Sequence, residues 1–333
     1  MRRLVWIIAV LATLWGGLWM LASSMLENGM TRWFTDRRAE GWQAEVGTIS
    51  MTGFPGKLNM TVKVVSLADP ATGVAFNAEE LLISARSYWP AYVTVKLPST
   101  PIGLRTPDIS LSIEANATQV DLRLRPHTAL QLEQLSAISG PWQLNTPEGP
   151  LLWAEDFSAE VIQGQVAETY RFALSANQLT PGGLIRDALL LAPDWPPAFE
   201  AFAADVTVTF DTPLDRFTLE DRRPQPREIQ ADRIELHWGA LRLSAEGKLN
   251  VNTTGIPDGH LDLLIENWRE ALDITKKSGV LPAGVLPQAE LMLTALANMN
   301  DDPETLDLSI TFKDGATYLG PIPLGPAPSL ILR

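Results

Sequence analysis

The chain has 333 residues, 46% of them hydrophobic and 20% charged, which is enough apolar material for one large or two ordinary domains and excludes a disordered protein. Net charge is −13; Arg2 and Arg3 are the only charges before residue 23, so the remainder carries −15 and repels phosphate backbones, which excludes nucleic acid as a partner. The absence of cysteine removes disulfides, thiolate catalysis and Cys-ligated metals.

The first element is an uncharged apolar run, Leu4–Ala22, whose nineteen residues make roughly 28 Å of helix, close to bilayer hydrocarbon thickness. Trp6, Trp15 and Trp19 bracket it, and the run finishes Leu18-Trp19-Met20-Leu21. A cleaved signal peptide is the rival reading, with Ala22-Ser23-Ser24 as its cleavage site. The bulky end and the length instead favour an uncleaved signal-anchor over residues 1–22. Arg2 and Arg3 favour the cytoplasmic side, opposed by Arg32, Arg37 and Arg38, but long domains translocate largely regardless of charge. The expectation is a single-pass protein of the inner membrane, anchored through residues 4–22, with its C-terminal domain in the periplasm.

Residues 23–40 continue as a membrane-proximal helix that Gly41-Trp42 ends. From 41 to 333 the pattern alternates apolar and polar residues, as half-buried strands do. Leu58, Met60, Val62 and Val64 point one way, and Ile109-Leu111-Ile113 and Val120-Leu122-Leu124 repeat the period. It returns at Tyr170-Phe172-Leu174, Val206-Val208-Phe210, Ile234-Leu236-Trp238, Leu241-Leu243-Ala245, Leu261-Leu263-Ile265 and Leu306-Leu308-Ile310-Phe312. No long helical crossovers separate these strands, so pairing is antiparallel. The fold class is mainly β, a large antiparallel curved sheet or sandwich with a few short helices behind a transmembrane helix. Before the first long strand, Gly53-Phe54-Pro55-Gly56 predicts a turn from which Phe54 points inward. Helices are predicted over Asn267–Ser278, with Asn267 as cap and Gly279 as stop, over Pro287–Ala297, and briefly over Leu184–Leu191. Asp221–Glu228, where prolines and charges interleave, either splits the body into two subdomains or forms an exposed loop.

Catalytic signatures are missing. His127, His237 and His260 are too far apart in sequence for a local metal motif, and there is no Ser-x-x-Lys, G-x-S-x-G or phosphate-cradling loop. Asp301-Asp302 with Glu304 has the composition of a solvated turn. No catalytic, cofactor or metal residue is expected, and the protein is expected not to be an enzyme. The eleven tryptophans either plug the open ends of a β core or line an apolar ligand site.

Gly41-Trp42, Gly53-Phe54-Pro55-Gly56, Gly247-Lys248-Leu249, Pro257-Asp258-Gly259, Asn267-Trp268, Leu319-Gly320-Pro321 and Leu324-Gly325-Pro326 together resemble an uncharacterised family of alphaproteobacterial envelope proteins, the DUF2125 type. The resemblance spans nearly the whole chain. Its motif positions, Gly41, Trp42, Gly53, Phe54, Pro55, Gly259, Trp268, Gly320 and Gly325, imply turns and packing, so no catalytic role carries over. More distantly, an anchor helix followed by a Gly-Phe-Pro turn and strands is similar to the AsmA-like envelope proteins, which implies lipid handling and envelope homeostasis. The expectation is a binding module that shelters lipid or another apolar ligand; the alternative is a scaffold that recruits other envelope proteins.

Overall fold

The computed structural model describes residues 2–191, 193, 195–218, 223–278, 286–298, 302–320 and 322–332. Strands outweigh helices among the described residues and their ladders are antiparallel, so the fold is mainly β, as the alternation implies. The chain divides into two compact units, residues 1–125 with 137–147 and residues 126–136 with 148–333. The segment 221–228 lies inside the second unit. Residues 221–222 fall outside the described residues, and Pro226 opens a strand.

The first unit begins with α1 (Arg2–Ala39), one helix that runs unbroken through the apolar run and the segment after it. Gly41, at φ 92°, ends it, and the Gly41 and Trp42 amides donate to the Arg38 and Arg37 carbonyls. The strands are β1 (Gln43–Val46), β2 (Ile49–Thr52), β3 (Lys57–Asp69), β4 (Val74–Arg86), β5 (Trp89–Lys96), β6 (Ile102–Arg105), β7 (Ser110–Ala115) and β8 (Gln119–Leu124). β9 (Leu132–Ser139) straddles the boundary between the units, and β10 (Trp142–Thr146) returns to the first. β3 carries β1 and β2 in succession along one edge and β4 along the other. The far edge of β4 then forks: Ala75–Asn77 pair with β6, and Leu82–Arg86 pair with β5.

Leu58, Met60 and Val62 are buried on one face of β3, as the period of two requires. Val64, expected to follow them, does not. It adopts φ 54° and is 63% exposed, while Val65 takes the inward place at 4%. A left-handed residue reverses the alternation, and β4 makes the same step opposite it, with Ala78 buried and Glu79 and Glu80 both exposed. Phe54 also departs from expectation. The 53–56 segment is a turn, with a cis Phe54–Pro55 peptide and the Lys57 amide donated to the Gly53 carbonyl, but Phe54 is 56% exposed and outside the core.

The second unit contains β11 (Gly149–Ala154), β12 (Asp156–Gln163), β13 (Thr169–Asn177), β14 (Thr180–Pro181), α2 (Gly183–Ala188), β15 (Ala201–Phe210), β16 (Pro226–Trp238), β17 (Leu241–Val251) and β18 (Pro257–Glu266). It finishes with α3 (Trp268–Ser278), α4 (Leu286–Ala297), β19 (Thr305–Lys313), β20 (Ala316–Leu319) and β21 (Ile322–Pro326). A continuous ladder runs β12, β13, β15, β16, β17, β18, β19, β20, β21. Its apolar face at β18 and β19 is covered by helices: Trp268, Leu272 and Ala297 pack with Leu306 and Leu308. Asn267 is not a side-chain cap for α3. At φ 57° it donates its side-chain amide to the Ala240 carbonyl, and only its backbone carbonyl accepts from Glu270. Gly279 lies outside the described residues. Gly259 is a real requirement: at φ 142°, an added Cβ would stand 2.1 Å from the Lys248 carbonyl oxygen of the neighbouring strand.

Candidate functional site

Past Ser24 the sequence of α1 becomes two-faced. Met25, Leu26, Gly29, Met30, Trp33 and Phe34 recur at helical spacing on one side, while Glu27, Asn28, Thr31, Arg32 and Asp36 take the other. The apolar stripe faces β3 and β4, whose inward residues arrive as cross-strand pairs: Met60 with Ile83, Val62 with Leu81, Leu67 with Phe76. Helix and sheet do not close completely. Between them lies a cleft of about 480 Å³ lined by those twelve residues and Val65, every one apolar. The volume falls in the range of small-molecule sites, roughly 300–1,000 Å³.

The cleft is graded from mouth to floor. Met25 and Leu26 are 65% and 41% exposed, while Phe34, Met60, Val62 and Val65 are buried. Gly29 leaves part of the space, since nothing lies within 4 Å of where its Cβ would be. One turn beyond Trp33, the Arg37 guanidinium lies 5.7 Å from the Trp33 ring centroid and 5.9 Å from that of Trp42, and its Nη1 contacts Glu40 at 2.8 Å. Trp42 is half-buried against the same cluster.

The motif positions divide between the units. Gly41 and Trp42 sit where α1 gives way to β1, and Gly53, Phe54 and Pro55 form the turn between β2 and β3. Gly259, Trp268, Gly320 and Gly325 belong to the second unit, where Trp268 is 2% exposed and donates its indole N–H to the Pro303 carbonyl. Gly320 and Gly325, at φ 55° and 136°, shape the last two strands. The histidines are not brought to the cleft. His237 Nδ1 lies 3.0 Å from Arg242 Nη1, His260 Nε2 lies 3.8 Å from Asp262, and His127 Nδ1 accepts from the Ala129 amide at 3.4 Å. Asp301 is outside the described residues, and Asp302 accepts from the Glu304 amide and the Thr305 hydroxyl, as a turn residue does.

A larger depression, about 680 Å³, lies over β16–β19 and is lined by Asp232, Glu235, Glu246, Asp262 and Asp307 among others. Among the described residues no three His, Asp or Glu side chains are disposed to hold a metal. The two walls of the apolar cleft are roughly 25 to 60 residues apart in sequence, so no local pattern joins them and an apolar ligand site cannot be assigned its residues from the stripe Met25–Phe34 alone.

α1 is also long and apolar enough to cross a membrane, and its most apolar stretch is not buried. A family model described as an uncharacterized protein conserved in bacteria (DUF2125) matches residues 19–328. No curated protein matches the chain.

Proposed function

We propose that this chain, which belongs to the DUF2125 family, is a membrane-anchored, non-enzymatic binding protein whose cleft shelters a lipid acyl chain drawn from the bilayer around its own anchor. One observation carries the reading: the helix that supplies the bilayer-length apolar run at Leu4–Ala22 goes on, without a break, to wall an apolar cleft from Met25 to Phe34. An acyl chain that leaves the leaflet beside α1 meets a second apolar surface on the same helix. No charged side chain lines the cleft, so binding is by methylene burial, at about 0.8 kcal/mol per CH₂. Affinity then rises about fourfold per carbon until the cleft is full, and changes little with salt. We place the protein in the inner membrane with its β-rich body in the periplasm, where removing chains from the leaflet would serve envelope homeostasis.

The test uses the full chain in nanodiscs made with a phospholipid that carries a diazirine near its acyl terminus. Photo-crosslinks are expected on residues 25–34 of α1 and on β3 and β4. Gly29→Leu is expected to abolish them while leaving thermal stability equal or higher, because leucine replaces a helix glycine worth about 1 kcal/mol and its Cβ meets no neighbour. Crosslinks confined to Leu4–Ala22, unchanged by Gly29→Leu, would sink the acyl-chain reading and leave a scaffold in its place.

A further inference from the structure

The indole N–H of Trp15 donates to the Pro55 carbonyl at 3.0 Å, and that of Trp19 to the Lys57 carbonyl at 2.8 Å. The Phe54 ring meets Trp19 edge-on at 5.5 Å. The 53–56 turn is therefore bolted to the apolar run itself, well before its end. Between Arg3 and Trp15 only eleven residues remain, Leu4–Leu14, or about 16 Å of helix. Hydrocarbon thickness is about 30 Å. If the turn stayed in water, α1 could cross little more than half the bilayer.

We infer that the tip of the first unit, made of the 53–56 turn and the neighbouring 86–89 turn, is inserted into the leaflet on the domain's side as a second membrane contact. This inference does not rest on the cleft holding a ligand. The tip is built for such a place. Ser87 joins the two turns, its amide donating to the Gly56 carbonyl and its hydroxyl to the Pro55 carbonyl. Pro55 O accepts from the Trp15 indole as well as from Ser87, and Lys57 O accepts from the Trp19 indole, so both carbonyls have protein donors where water would be scarce. Phe54, Tyr88 and Trp89 are 56%, 63% and 52% exposed, three large aromatic side chains at one end of a soluble-looking β unit. The tip's two charges are both basic in a chain of net charge −13, and Lys57 stands directly opposite Arg86 in the ladder. Two cations in facing positions repel unless anions intervene. Lipid phosphates at the level of these side chains supply them, while the rings lie among the upper methylenes.

Because the chain has no cysteine, nitroxide labels attached through Tyr88→Cys, Trp89→Cys, Val74→Cys or Leu11→Cys need no background substitutions. Val74 is the aqueous control, at the opposite end of β4, about 40 Å from Arg86 along the strand. Leu11 reports insertion of α1. With the full chain in nanodiscs of phosphatidylethanolamine and phosphatidylglycerol, EPR power saturation compares collisions with oxygen and with a water-soluble nickel chelate. Oxygen is expected to dominate at 11, 88 and 89, and nickel at 74. Nickel dominating at 88 and 89 while oxygen dominates at 11 overturns the inference; nickel dominating at 11 as well overturns it together with its premise. An unlabelled Trp89→Phe chain gives an independent reading: it is expected to lose part of the tryptophan fluorescence quenched by brominated lipid, and an undiminished quenched fraction counts against insertion.

Discussion

A β-branched residue at positive φ, as at Val64, costs about 1–2 kcal/mol relative to ordinary backbone, and here nothing is recovered by burial because the side chain is mostly exposed. Val64→Gly should therefore raise the thermal stability of the full chain, by about 1 kcal/mol after the entropy glycine adds to the unfolded state. A lower melting temperature would show that the valine methyls do more than the geometry implies. Nothing in the sequence marks this position, because valine at the centre of an alternating run is the strongest strand signal there is. The exposure of Phe54 is hidden from the sequence for a related reason. Proline and glycine around it predict a turn correctly, but the direction of the ring depends on Trp19, thirty-five residues earlier.

Elements were more legible than their partners. Each quoted run of alternating residues falls on a strand, with Ile109 just outside β7, because the period of two is a local property of the chain. What covers each apolar face is not local. The face of β3 and β4 meets α1, and that of β18 and β19 meets α3 and α4, so helices take the place of the second layer that a sandwich would need. Between strands, one ion pair gives a pH-dependent contribution. Arg171 on β13 donates through Nε at 2.8 Å to Asp205 on β15, with a second contact from Nη2 to the other carboxylate oxygen. The hydrogen bond from Arg171 holds the Asp205 carboxyl below its ordinary range, burial working in the opposite direction. A lowered folded pKa means that the stabilisation is present above the unfolded value, about 3.9, and disappears as pH falls through the lowered one. Asp205→Asn should thus melt slightly below the unsubstituted chain at neutral pH, the modest loss of a surface pair, and the gap should close in strong acid. A gap that persists at low pH would assign the effect to packing instead.

At the scale of the molecule, the family match from residue 19 to 328 takes in the end of the apolar run, the cleft and both units. The units interleave along the chain, which crosses between them at 125/126, inside β9 and at 147/148; a single linker such as 221–228 would imply a simple split, and a crossing inside a strand carries no proline or charge signal of its own. If α1 is an uncleaved anchor held at two levels, the protein should stay with the membrane through an alkaline wash, and peptide mapping should recover residues 4–22. Mature chains that begin near Met25 would overturn this. The continuity of α1 has one more consequence. A protein tied to its membrane by a flexible linker sweeps a volume and can visit a distant surface, with a reach that grows with linker length. Here the step from the apolar run to the cleft mouth, Ala22 to Met25, is three residues of unbroken helix, about 5 Å, so the mouth of the cleft stands at one fixed height, like a shelf on a mast. On the proposed reading it serves only the membrane in which it is rooted, and an acyl chain that it lifts out would have to be collected at that height.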